Sequence, residues 1–191
     1  MRADARRNRE RLLRSAANLF ATEGLSVPLD EIARHAGVGP GTVHRHFPTK
    51  EALFAALVVD RVRATVEYGR SLIDAVDPWD ALMALLGRML EEGHASVTLK
   101  AALAGTDFDL RVAAPRESGE LQDAVSTLLA RAQRAGLARA DLSTSDAMAL
   151  VAGAFAAVRH AGAETDPGRA RRLVTTIFGG FRNPSTGLPG D

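Results

Sequence analysis

The stretch Ile32–Leu53, IARHAGVGPGTVHRHFPTKEAL, restricts this chain more than any other, because its glycines and prolines dictate where the backbone can be helical. Ile32, Ala33 and Ala36 fall on one face of a short helix. Gly37 follows, where a helix ends in a residue that accepts positive φ. Val38 turns inward, and Pro40 suits the first turn of a second helix, where no backbone N–H is needed. Val43 and Phe47 are four residues apart and share the inner face, which leaves Thr42, His44, Arg45 and His46 outside. Pro48 stops the second helix, and Thr49 stands as N-cap of a third. Two short helices around a glycine turn, the second with a donor-rich outer face, have the geometry of a helix-turn-helix.

The flanking sequence supplies what such a unit packs on. A helix over about Arg6–Thr22 repeats Leu12/Leu13, Ala16/Ala17 and Leu19/Phe20 at helical spacing, and Gly24 closes it. Pro28, Asp30 and Glu31 open the next helix, with acids where the helix dipole favours them. Residues 1–8 read as a frayed polar arm whose Arg2, Arg6 and Arg7, with Arg9 and Arg11 beyond it, either track phosphates or are merely solvated. These elements make a three-helix head, residues 1–50. Residues 1–50 carry nine Lys/Arg against five Asp/Glu, whereas residues 51–191 carry fifteen against eighteen. A basic head on an acidic body points to a polyanion as the head's partner.

The body, residues 51–182, is all helical by pattern. The apolar spacing predicts helices over Lys50–Asp74, Pro78–Ser96, Val97–Ala104, Glu117–Ala135 and Ser143–Ala161, and one opening at Asp166-Pro167. With the head this makes about nine helices in an all-α chain. Gly105–Glu117 reads as irregular, and residues 183–191, rich in Pro and Gly, as a disordered tail. There is no cysteine, hence neither a disulfide framework nor thiol catalysis. No apolar run is long enough to span a bilayer and the first residues lack the apolar core of a signal peptide, so the expected location is the cytoplasm, with no membrane partner. Nucleophile elbows, phosphate loops and dinucleotide fingerprints are absent, so no enzyme, catalytic residue or cofactor is expected. His44 and His46 are two apart and diverge on a helix, and with no cysteine nearby no metal site is expected.

Ala17, Phe20, Gly24, Ile32-Ala33, Ala36-Gly37-Val38, Gly41-Thr42-Val43, His46-Phe47 and Lys50-Glu51-Ala52-Leu53 occur in one order over residues 9–54. In this the chain resembles the TetR family of bacterial transcriptional regulators. It departs from the family pattern at His44, where tyrosine is usual, at Gly39 and at Val27-Pro28. The resemblance implies a DNA-binding regulator with a helical ligand-binding and dimerisation body. It also implies that the matching positions Gly41, Thr42, His44, Arg45, His46 and Lys50 contact operator DNA.

The residues themselves sharpen some of these expectations. Arg45 is the candidate to read a base, since guanidinium pairs with guanine in the major groove. Lys50, opening a helix, suits a phosphate. In the body, Trp79, Met83, Leu86, Met89, Leu90, His94, Phe108, Val112, Leu121, Val125 and Phe155 are candidates to line a cavity between helices, with ordinary core as the alternative. Ala149, Gly153 and Ala157, with Leu173, Ile177 and Phe178, form apolar faces late in the chain and are the candidate dimer interface. The expectation is a homodimeric repressor of a palindromic operator in double-stranded DNA, released by an apolar or amphipathic small-molecule effector. The rivals are a DNA-binding regulator without an inducer and a helical enzyme with a DNA-targeting head.

Overall fold

A computed structural model describes residues 2–102, 109–163 and 166–183, with side chains described at 4–93, 109–163 and 166–183. Among these residues the structure is nine α-helices: α1 (Arg2–Thr22), α2 (Leu29–His35), α3 (Pro40–His46), α4 (Lys50–Ser71), α5 (Pro78–Ala102), α6 (Leu110–Ala113), α7 (Pro115–Arg134), α8 (Thr144–His160) and α9 (Pro167–Gly179). They divide into two compact units, Met1–Asp60 with Thr98–Asp109, and Arg61–Val97 with Leu110–Asp191. None of the described helices is long and apolar enough to cross a membrane.

The first unit is built as its turn residues dictate. Gly24 and Gly37 adopt φ of 81° and 63°, the left-handed region that side chains resist, and each ends a helix there. Pro40 takes the first position of α3, and the Thr49 hydroxyl accepts the Ala52 amide at 3.2 Å to cap α4. Leu12, Leu13, Ala16 and Leu19 of α1 are buried with Ile32 and Ala33 of α2, Val43 of α3, Phe47, and Leu53, Phe54 and Leu57 of α4. The rings of Phe20 and Phe54 meet at 5.0 Å beside them. α1 starts at Arg2, so the amino-terminal arm is helical rather than frayed. Its charges support this: Arg7 pairs with Asp4, Arg6 donates to Glu10 and Arg11 to Asn8, all one turn apart.

The second unit has its own core. Leu82, Leu85, Leu86 and Leu90 of α5 are buried with Val125, Leu128 and Leu129 of α7, Ala147, Val151 and Ala154 of α8, and Phe178 and Phe181. α5 is one continuous helix to Ala102, where the pattern suggested two. Nothing between Ser96 and Val97 breaks a helix, so the chain has no reason to stop there. α4 ends at Ser71, short of Asp74, and Arg131 of α7 donates to the carbonyls of Leu72 and Ala75 in the turn beyond it. α7 begins two residues before Glu117, because Pro115 is pre-set for a first helical position. A one-turn α6 occupies part of the stretch expected to be irregular. Ser143 and Asp146 close a reciprocal capping box on α8. Asn183, first residue of the supposed tail, is held: its amide donates to Leu137 O at 3.0 Å and its Nδ2 to Gly136 O at 3.1 Å. Residues 184–191 lie outside the described residues.

One ion pair in this unit is sheltered enough to matter. Arg63 of α4 donates through Nε (2.9 Å) and Nη2 (2.5 Å) to Glu117, whose side chain is 10 % exposed at the start of α7. The Arg63 hydrogen bond, with help from Glu117's own amide, holds that carboxyl below the usual carboxylate range. A carboxyl depressed on folding stabilises above its unfolded pKa, about 4.3, and that stability is lost as pH falls through the lower folded value. Glu117→Gln is therefore expected to cost roughly 1 kcal/mol near neutrality, measured by denaturant unfolding. The gap to the unsubstituted protein should close as pH drops below about 4. A gap independent of pH would mean that Glu117 contributes packing, not charge.

Candidate nucleic-acid interface and effector cavity

The short α3 carries the polar surface that the head presents. Val43 is fully buried and Phe47, just past the helix, is 1 % exposed, so the opposite face is fixed outward. Gly41, His44 and Arg45 are exposed, and Thr42 and His46 are half-buried. Arg45 donates its Nε to the Gly41 carbonyl at 3.1 Å. Its two terminal nitrogens make no hydrogen bond among the described residues, and those are the atoms a guanine edge would engage. Arg9 of α1 sits over the Phe47 ring with Cζ 5.5 Å from the centroid, which fixes one arginine of the basic arm against the base of α3. Lys50 is half-buried at the first position of α4, the amino-terminal end of that helix, where a phosphate would meet its charge and the helix dipole together.

His44 is less free than its position suggested. Its Nε2 lies 3.1 Å from Oδ1 of Asp30, in the first turn of α2. A phosphate can engage His44 only by displacing this carboxylate or through the other ring nitrogen. Arg34 and Glu31, also on α2, pair with one another on the surface.

In the second unit a cavity of about 860 Å³ opens between α5, α8 and α9. From α5 come Trp79, Met83, Gly87, Leu90 and Glu91, and from α8 Val158. Pro167, Ala170, Arg171, Val174, Thr175, Phe178 and Gly179 line it along one face of α9, and Arg182 follows. The Arg182 guanidinium lies 4.9 Å from the centroid of the Trp79 ring.

Of the residues expected to line a cavity, Trp79, Met83 and Leu90 do so. Leu86 and Val125 are fully buried and Leu121 is 8 % exposed, and none of the three lines this cavity. Met89 and Phe155 pack partly buried against that core. Val112 is 81 % exposed on α6, since a single helical turn is too short to bury an apolar face. The side chains of His94 and Phe108 lie outside the described residues. Of the residues expected at a dimer interface, Ala149 and Gly153 are exposed, and Ala157, Leu173 and Ile177 half-buried. Phe178 instead turns into its own protomer, 4 % exposed, edge-on to Phe181 at 5.5 Å and on the cavity wall.

Residues 12–57 match the model of the bacterial regulatory proteins of the tetR family, and residues 77–183 match the C-terminal domain of SbtR-like transcriptional regulators. The chain belongs to the TetR family of bacterial transcriptional regulators. A TetR transcription regulatory protein from Mycobacterium vanbaalenii is 44 % identical, with a TM-score of 0.71 over 95 % of this chain and 98 % of that one. The TetR regulator SCO0520 from Streptomyces coelicolor is 29 % identical, with a TM-score of 0.71 over 92 % and 99 %. The HTH-type transcriptional regulator SAUSA300_2515 from Staphylococcus aureus is 43 % identical over 54 residues. That match spans only 28 % of this chain and 29 % of the curated relative.

Within this TetR frame, two features escape a reading of the sequence. Asp30 was legible only as a dipole partner for α2, and its contact with His44 crosses fourteen residues. The wall from α9 was legible in principle, since Ala170, Val174 and Phe178 recur every four residues. Arg169, Arg171 and Arg172 interrupt that stripe and weaken it as an apolar pattern. Among the described residues no three His, Asp or Glu side chains gather as a metal site would require.

Proposed function

We propose that this TetR regulator is a homodimeric repressor that grips a palindromic operator through α3 and is released by an apolar or amphipathic effector bound in the cavity between α5, α8 and α9. The observation that carries the DNA half is α3 itself. Its inner side is locked by Val43 and Phe47, so Thr42, His44 and Arg45 face outward. A twofold dimer presents two such helices, and half-sites then lie about 34–36 Å apart or a multiple of that. The effector half rests on a cavity whose walls are mostly apolar and whose size suits a metabolite. An effector that prefers one conformation of the dimer shifts the population away from the DNA-binding one. By linkage, operator must weaken effector binding by the same factor.

Arg45 and Lys50 divide the DNA contact between reading and holding. Arg45→Ala is expected to cost about 1–3 kcal/mol at the operator and to relax preference at one base pair per half-site. Lys50→Ala should weaken operator and random DNA alike and flatten the dependence of affinity on salt. Competition binding against a library of single-base operator variants separates the two. Equal losses on operator and random DNA for Arg45→Ala would reassign Arg45 to a phosphate.

A further inference from the structure

The cavity wall is apolar in one part and charged in another. Met83, Leu90, Val174 and Phe178 supply apolar surface, while Arg171, Arg182 and Glu91 supply charge. Several arginines of this unit are paired, among them Arg63 with Glu117, Arg88 with Glu92 and Arg139 with Asp141, while Arg159, Arg169 and Arg172 make no ion pair among the described residues. The two on the cavity wall are not paired either. Arg182 rests on the Trp79 ring, and Arg171 makes no ion pair among the described residues. Two guanidinium groups against one carboxylate leave the wall positive by one charge.

We propose that the cavity selects an amphiphilic carboxylate. The apolar body lies against Met83, Leu90, Val174 and Phe178, and the carboxylate is received by Arg171 and Arg182. This rests on the reading of the cavity as the effector site. Guanidinium matches a carboxylate with parallel N–H donors, and such charge-assisted bonds are about twice as strong as neutral ones. Arg182 leaves or tilts from Trp79 to make them, so binding is felt at the indole ring. Glu91 repels a second negative charge and limits the preferred ligand to a monoanion. Because both arginines are exposed, solvent screens them, and the carboxylate gains about tenfold in affinity over its neutral amide rather than several hundredfold.

Trp79 is the single tryptophan of the chain, so its emission reports on the cavity without labelling. The probes are decanoate, decanamide and decylamine, which share a chain and differ in charge, titrated below their aggregation limits at pH 7.5. Decanoate is expected to bind about tenfold tighter than decanamide, with decylamine weakest. The double variant Arg171→Gln/Arg182→Gln should bring decanoate down to decanamide and leave decanamide where it was. Gly87→Leu fills the cavity and should weaken all three. A Cβ at Gly87 meets nothing within 4 Å, and leucine favours a helix over glycine, so the protomer tolerates the change. Binding without a preference for decanoate, or no binding of any probe, overturns the carboxylate assignment. Decanoate binding that Gly87→Leu leaves intact, or that leaves operator affinity unchanged, overturns instead the reading of the cavity as effector site.

Discussion

Gly153→Glu is expected to turn the proposed dimer into monomers and to weaken operator binding by about 10²–10⁴-fold, the advantage lost when two linked contacts become two separate ones. Gly153 is exposed in the middle of α8, and a Cβ built there meets nothing within 4 Å in its own protomer. Replacing glycine at that helical position by a good helix former such as glutamate also removes a backbone-entropy cost of roughly 0.5–1 kcal/mol. The single chain therefore folds at least as well with glutamate as with glycine. What the substitution disturbs must lie outside the protomer. Ala149 and Ala152 stand beside Gly153 on the same exposed face, and side chains this small let a second helix approach closely. A carboxylate there would be buried without a partner in the dimer. Gly153→Ala is the control, since a methyl group still permits close packing. Sedimentation equilibrium reads the mass directly. A dimer of unchanged mass in Gly153→Glu would move the interface away from this face of α8.

The head was legible because its instructions are local. Gly37 at φ 63°, Pro40 at the start of α3 and Thr49 over the first turn of α4 each act within four residues of their place in the chain. The spacing of Val43 and Phe47 then settles which side of α3 faces out. The body was legible only as helices. Period tells that Leu86, Leu121 and Val125 point inward, but not whether they meet other side chains or a void. In the structure Leu86 and Val125 pack into the core cluster and Leu121 is buried, while one void among the described residues opens where α9 faces Trp79 and Met83. That depends on how far apart three helix axes lie, which is a sum over many packing choices and is written in no single residue. Val112 fails for a related reason: an apolar residue is drawn inward only if its element has a face to bury, and α6 is one turn long. The pairing of His44 with Asp30 is the same problem on the polar side. Each residue fits its own helix, and their meeting is decided by how α2 crosses α3.

Phe47→Ala is expected to cost the head about 3–5 kcal/mol, the penalty for emptying a buried aromatic site. Phe47 is 1 % exposed, and it is packed with Leu12, Val43 and Leu53 in a core that α1, α2, α3 and the start of α4 all share. A unit of this size buries too little to absorb such a loss, since whole domains are stable by only about 5–15 kcal/mol. The same truncation removes the ring on which Arg9 rests and loosens the end of α3. Operator binding should therefore disappear. The second unit has a separate core that contains Trp79, so its native emission should survive. That contrast makes the experiment informative: loss of DNA binding with the tryptophan signal retained places the damage in the head. Phe47→Leu keeps most of the apolar volume and is expected to recover the larger part of the stability and of operator binding. If Phe47→Ala bound operator as tightly as the unsubstituted protein, the packing under α3 would not be what holds Arg45 and Thr42 in place to meet DNA.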